Sequence, residues 1–391
     1  MITILTLLSG LVLAYFAFGA GYQLFFAVAG LFYSQEDRRI GSSRYRIAVL
    51  IPAYREDAVI VSTARQALEQ DYPSHLFDVI VIADSLQHET LRALKALPVK
   101  LVEVAFEQST KSKAINHALG QMPETGYDIL AILDADNVMA PGFLARLAGN
   151  FERGQQVVQG QRAAKNADTP MAILDGASEA INNHILCKGQ RVMGFSARLA
   201  GSAMAFDYAL FRQVMPQIDA VGGFDKELEL RLLQRRRPIG YDDEAVVYDE
   251  KVRREADFSR QRSRWIAAQF YYARRFFPLA FWLWLKEGNG DFMNKAIQML
   301  LPPRLITPGV LLLGALAHLL AGAYGLAALW GGVLLANLLT FMLAMPGYIW
   351  RAPYRQALLR LPRAFFYALQ SMLTLKHARR YFINTPHGEN K

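Results

Sequence analysis

The 391-residue sequence predicts an α/β domain built on a parallel sheet, set between an N-terminal transmembrane helix and a C-terminal region of interfacial and transmembrane helices. Three observations predict it. Hydrophobic residues make up 53% of the chain and charged residues 20%, which disfavours an ordinary soluble enzyme and excludes disordered and collagen-like chains. Residues 3–33 are almost wholly apolar, and a bilayer needs about 20 such residues. Between residues 46 and 257, short apolar runs alternate with amphipathic helical stretches.

The N-terminal segment, 1–35, reads as one tilted transmembrane helix. No basic residue precedes its apolar run, which is longer than the core of a cleaved signal peptide. Arg38, Arg39, Arg44 and Arg46 follow it, and the positive-inside rule then puts the N-terminus outside and the next domain in the cytoplasm. In segment 46–257, the runs IAVLIPAY (47–54), FDVIVIADS (77–85) and YDILAILDADN (127–137) read as strands buried on both faces, with helices at 57–69 and 111–120 between them. Ligands of such sheets bind at the carboxyl ends of the strands, which carry Tyr54 to Glu56, Asp84 and Asp134 to Asp136. Segment 258–303 mixes Arg with Trp, Phe and Tyr, as amphipathic helices in a membrane interface do. Segment 304–350 holds two apolar stretches joined near Gly322 to Gly332, a hairpin returning to the cytoplasm. Segment 351–391 reads as an interfacial helix at 364–375 followed by a basic cytosolic tail.

The net charge of +9 gathers beside the apolar segments, which favours an anionic leaflet and a nucleotide diphosphate over nucleic acid. The single cysteine, Cys187, permits no intrachain disulfide, in keeping with a cytosolic domain. The first strand runs into PAYRED without G-x-G-x-x-G, and no G-x-x-x-x-G-K-S/T occurs, so dinucleotide and P-loop readings fall away.

Asp134 and Asp136 supply two carboxylates one residue apart at the end of a buried strand, the oxygen donors that a divalent cation on a diphosphate requires. A bare D-x-D is more often a turn or helix cap, but Asp84 adds a third carboxylate at the same sheet edge, where acids without a cation would only repel. In VGGFDKELELRL (221–232), Asp225 lies nearest the loop and is the candidate general base, while Glu227 and Glu229 read as acids favoured by a helix N-terminus. Gln261, Arg264 and Trp265 fall on one helical face, where a guanidinium can meet a diphosphate and an indole a sugar. Arg274 and Arg275 read as membrane anchors and His318 as a packed or interfacial histidine.

In order, IPAYRE, VIADS, KSKAIN, LDADN, GSAMAF, GGFDKELE and QRSRW resemble the motifs of membrane-embedded family 2 glycosyltransferases, the group of cellulose, chitin, hyaluronan and poly-N-acetylglucosamine synthases. The resemblance covers residues 46–270. It implies a GT-A type, Rossmann-like nucleotide-sugar domain, a UDP-sugar donor and Mg2+ or Mn2+. It also implies that Tyr54, Glu56, Asp84 and Lys111 hold the nucleotide, that Asp134 and Asp136 bind the metal, and that Gly201 and Ser202 lie beneath the acceptor. Asp225 becomes the base, Gln261 and Arg264 diphosphate contacts, and Trp265 an acceptor contact. The family's glutamate before the base is Phe224 here, and only three spans are readable, which departs from a self-contained export channel.

The activity so implied is inverting, metal-dependent transfer of a sugar to a growing polysaccharide or oligosaccharide at a bacterial inner membrane, with an export partner left open. A membrane-lipid acceptor of ceramide or polyprenyl type is the alternative within the enzyme class. A non-catalytic nucleotide-binding membrane protein is the alternative outside it. A transporter fits poorly, because His318 is the one ionisable residue within the hairpin stretches.

Overall fold

The structure is a computed structural model that describes residues 2–34, 44–220, 222–351 and 354–360. Runs of Ile, Val and Ala form β1 (Ile47–Tyr54), β2 (Phe77–Asp84), β3 (Lys100–Val104) and β4 (Ile129–Ile132). The remaining strands are β5 (Val138–Met139), β6 (Val157–Ala164), β7 (Met204–Asp207) and β8 (Gly240–Asp249). All eight join one sheet in the order β3-β2-β1-β4-β7-β6-β8-β5. The sheet is mixed, which corrects the expectation of a parallel one: β7 runs antiparallel to both β4 and β6, and β5 antiparallel to β8. The three strands anticipated from sequence are parallel neighbours.

Alternate residues of β1 belong to two separate cores, Ala48 and Leu50 on one face and Ile47, Val49 and Ile51 on the other. The register pairs Tyr54 with Asp84, and the Leu133 N–H donates to the Leu50 carbonyl, so the polar ends of β1, β2 and β4 share one rim.

Helices α1 (Ile2–Gly30), α2 (Ile60–Leu68), α3 (His88–Lys95), α4 (Lys111–Gln121) and α5 (Phe143–Glu152) lead into α6 (Pro170–Asn182). A π-helical turn, Asn183–Gly189, continues α6 into the short α7 (Gln190–Val192). Then come α8 (Tyr208–Val214), α9 (Phe224–Gln234), α10 (Glu255–Glu287), α11 (Gly290–Leu300), α12 (Thr307–Leu320) and α13 (Tyr324–Ala344).

Among the described residues, two helices are long and apolar enough to cross a membrane, Thr6–Gly30 and Tyr324–Ala344. The hairpin closes at residues 321–323, so Gly331 and Gly332 lie inside α13, not in the turn. Its first arm, α12, has 14 residues and extends about 21 Å, short of a hydrocarbon core of about 30 Å. His318 is packed as expected: it hydrogen-bonds Ser9 (3.0 Å) and stacks on Trp330. The α1 backbone comes so close to the π turn that a Cβ on Gly189 would stand 2.1 Å from the Phe26 carbonyl oxygen.

Segment 258–303 is not a set of helices lying only in an interface. Its main part is the single 33-residue helix α10, whose Tyr272, Phe276 and Ala280 enter the same core as Leu50 of β1. Trp282, Trp284 and Leu285 on α10 are exposed. The helix expected at 364–375, the tail, and Arg38 and Arg39 lie outside the described residues.

Candidate active site

A cleft of about 630 Å³ opens along the rim where β1, β2 and β4 end, and α10 forms its far wall. Tyr54, Glu56, Asp84, Lys111, Asp134, Asp136, Gly201, Asp225, Gln261, Arg264 and Trp265 all line it.

The donor half is built on strand ends. Asp84 is buried, and its two carboxylate oxygens accept from the Ser85 hydroxyl (3.0 Å) and the Ser109 hydroxyl. Just beyond Tyr54, Arg55 takes a left-handed φ of 56° and donates its N–H to the Asp84 carbonyl, turning the chain at the rim. Past β4, the Asn137 side chain accepts from the Asp134 N–H at 3.0 Å, a turn that presents the acids of D-x-D. Asp134 pairs with Lys111, the first residue of α4. Asp136 is buried and accepts from the Glu250 N–H at 2.7 Å and from Asn137 at 3.1 Å.

A chain of contacts joins this half to the base candidate. The Lys111 ammonium also donates to the Gly201 carbonyl at 2.8 Å, and a Cβ on Gly201 would lie 3.9 Å from the Asp225 carboxyl carbon. Gly201 has φ +87°, which suits glycine. Asp225 stands in the first turn of α9, half-buried, with no hydrogen-bond partner among the described residues. Phe224 beside it is buried in the core, and the Lys111 ammonium lies 5.2 Å from its ring centre. The start of α9 meets α10 at Gly223, φ +68°, where a Cβ would touch Ala268.

Ser202 departs from its expected place. It is fully buried, and its carbonyl accepts from Gln159 at 3.0 Å, because the left-handed turn at Gly201 and Ala203 directs the segment into the sheet. Glu227 lies in the first turn of α9 as expected and Glu229 beyond it, but neither is a simple helix-end acid. Both lie on the buried face of α9: Glu227 pairs with Arg231 and Arg275, and Glu229 with Lys295 at 2.8 Å. Arg275 thus lines the cleft as an ion-pair partner, where a membrane anchor was expected.

Sequence reasoning missed the floor of the cleft. Arg162 of β6, Asp249 of β8 and Lys251 form a buried cluster, in which Asp249 pairs with both cations. Glu179 of α6 also lines the cleft and pairs with Arg198 at 3.0 Å. Burial pushes the Glu179 carboxyl up, but Arg198, Arg162, Lys251 and Arg262 together bring it down to about 2. Arg262, unremarked inside RQRSRW, lies 4.7 Å from the Trp265 ring centre and pairs with Asp175 at 3.0 Å. The available signal was the one that found β1 and β2, a strand ending in charged residues, since β6 runs into RAAK and β8 into YDEK.

Asp134 and Asp136 offer carboxylate oxygens, and no cluster of three or more His, Cys, Asp or Glu suited to a metal occurs among the described residues. Two carboxylates fit a cation that takes its remaining ligands from a diphosphate and water, as Mg2+ characteristically does. The buried Gln261 Oε1 has no hydrogen-bond partner among the described residues.

Residues 44–268 match the model of the Glycosyltransferase like family 2. The Probable glycosyltransferase YdaM of Bacillus subtilis is 24% identical over 247 residues, covering 59% of this chain and 57% of that protein. The Beta-monoglucosyldiacylglycerol synthase of Trichormus variabilis is 26% identical over 286 residues, covering 68% of this chain and 58% of that protein. The chain therefore spans somewhat under three fifths of these relatives. Among solved structures, the mannosyltransferase PcManGT from Pyrobaculum calidifontis, in complex with GDP-Man and Mn2+, shares the fold at TM-score 0.56 and 19% identity, over 94% of this chain and 98% of that one.

Proposed function

The chain belongs to the family 2 glycosyltransferases, and from that premise we propose that it transfers a sugar, with inversion, from a nucleoside diphosphate sugar to a membrane lipid. The observation that carries the reading is the single cleft in which Asp84, Asp134, Asp136, Asp225 and Arg264 meet, although up to 180 positions separate them along the chain. Tyr54, Glu56 and Asp84 face the nucleoside. Lys111 and Arg264 offset charge on the diphosphate, and Gln261 offers its unpartnered oxygen to the donor or acceptor. Asp134 and Asp136 would hold Mg2+ or Mn2+, which when bound supplies electrostatic stabilisation of the departing diphosphate. Asp225 takes the proton of the acceptor hydroxyl, and Trp265 positions the acceptor.

A lipid acceptor is preferred to the growing glycan that the motifs first suggested. The Trichormus relative is named for making a glucosyldiacylglycerol, and a second cavity that shares Trp265 with the cleft reaches Gln23 of the apolar helix α1. We place the protein in a bacterial plasma membrane with the sheet domain in the cytoplasm. The test is mass analysis of products formed by the purified full chain in lipid vesicles with a panel of UDP- and GDP-sugars. Single-sugar glycolipids are expected. Extended glycan chains would restore the polymer reading, and no transfer from any donor to any acceptor would end both.

A further inference from the structure

Behind Trp265 lies a second cavity of about 200 Å³, between α1, α10, α11 and the segment 301–306. It shares Arg198, Lys226 and Trp265 with the catalytic cleft, and it reaches Gln23 of α1 and Ile306 at the entry to α12. Leu186, Ile266 and Leu305 contribute to its apolar wall.

Its polar wall holds more positive than negative charge. Arg198 pairs with Glu179, Arg262 with Asp175, and Lys295 with Glu229. Arg304 and Lys226 have no carboxylate partner among the described residues. Arg304 donates to the Ser178 carbonyl at 3.1 Å and to the Ser178 hydroxyl at 3.2 Å, and Arg262 donates to that same hydroxyl at 3.1 Å. Two guanidinium groups therefore converge on one neutral oxygen. The buried Nε of Arg262 has no hydrogen-bond partner among the described residues. Burial, with Arg262 and Arg198 nearby, pushes the Arg304 guanidinium down to about 9. Like charges gathered out of water are costly unless an anion joins them.

We propose that this cavity takes the anionic phosphate headgroup of the acceptor lipid, with Arg304 and Arg262 on the phosphate and the acyl chains leaving toward α1 and α12. The inference rests on the glycosyltransferase reading and names its acceptor class. A hydroxyl next to the phosphate passes Trp265 and enters the cleft near Asp225. There the hydroxyl oxygen bonds to the anomeric carbon and its proton goes to Asp225. The bond from that carbon to the diphosphate breaks, and its electron pair leaves with the nucleoside diphosphate.

The experiment titrates the full chain, in neutral detergent, with dihexanoyl phosphatidylglycerol, with dihexanoylglycerol and with inorganic phosphate. The anionic lipid is expected to bind at least tenfold tighter than the neutral one. Arg304→Gln should abolish that preference and Arg304→Lys should keep most of it. Lys226→Gln, at a partly exposed position, supplies a second variant should Arg304→Gln fail to fold, and it should weaken the preference. Equal binding of the two lipids, or an unchanged preference in folded Arg304→Gln, overturns the proposal. So does displacement of the lipid by an equal concentration of inorganic phosphate. A transfer assay with the same lipids and a panel of UDP- and GDP-sugars separates the two levels. Transfer to dihexanoylglycerol alone overturns this inference and leaves the enzyme. The expected binding preference without transfer from any sugar donor overturns the enzyme and leaves the site.

Discussion

The Asp225 carboxyl lies against Gly201, with 3.9 Å between its carbon and the position a side chain would take on that glycine. The contact sets the base candidate beside the loop that Lys111 holds, and Lys111 in turn holds Asp134. The candidate base, the lysine and the first acid of D-x-D thus form one connected group.

Asp225→Asn keeps the shape and removes the proton acceptor. Sugar transfer should fall by about 10²- to 10⁴-fold in kcat, with donor KM and thermal unfolding nearly unchanged. Near-normal kcat in a folded variant would remove Asp225 from the proposed role.

Asp136→Asn should raise the Mn2+ concentration needed for half-maximal transfer, and chelator should abolish transfer by the unaltered protein. Because Asp136 also accepts from the Glu250 N–H, a modest loss of stability, of about 1 kcal/mol, should accompany the change. Chelator-resistant turnover would contradict a metal at this pair.

Lys295 and Glu229 join α11 to α9 out of contact with water, each side chain 1% exposed. Burial raises the Glu229 carboxyl above its ordinary range even with Lys295 beside it. Lys295→Met alone should cost about 3–5 kcal/mol, because it strands the acid. The double change Glu229→Gln with Lys295→Met should recover most of that loss in thermal or denaturant unfolding. Equal destabilisation in the double variant would show that the pair does not act as a unit.

Glu179 titrates near 2, below its ordinary 4.5. A carboxyl lowered in this way adds stability that is complete above about pH 4.5 and is lost as the pH falls through 2, on the order of 3 kcal/mol for such a shift. Glu179→Gln should therefore lower stability at neutral pH by a comparable amount and flatten its decline between pH 5 and 2. A variant whose decline parallels that of the parent protein would rule out this contribution.

The rim of the sheet was legible because strands buried on both faces leave uninterrupted apolar runs, and the polar residue ending each run marks the ligand side. That logic brought out Tyr54, Asp84 and Asp134. It missed β6 and β8, whose apolar pairs are broken by Gln, Arg and Asp and carry no clear period. It also missed the reversal at β7, since strand direction follows from long-range pairing and leaves no local trace. Glu227, Glu229 and Arg275 show the same limit. An acid early in a helix and an arginine among aromatics have ordinary local explanations, and only packing pairs Glu227 with Arg275 and Glu229 with Lys295. Ser202 follows Gly201 directly, yet Gly201 lines the cleft while Ser202 is fully buried, a difference that adjacency in sequence does not reveal.

The seat of α1 on Gly189 leaves no room for even a methyl group, so α1 and the π turn that follows α6 are packed as one unit. If α1 stands in a bilayer, that packing ties the height of the candidate site above it to the position of α1. A thicker or thinner membrane would tilt the whole molecule, and the reach of the cleft toward its acceptor would change with that tilt.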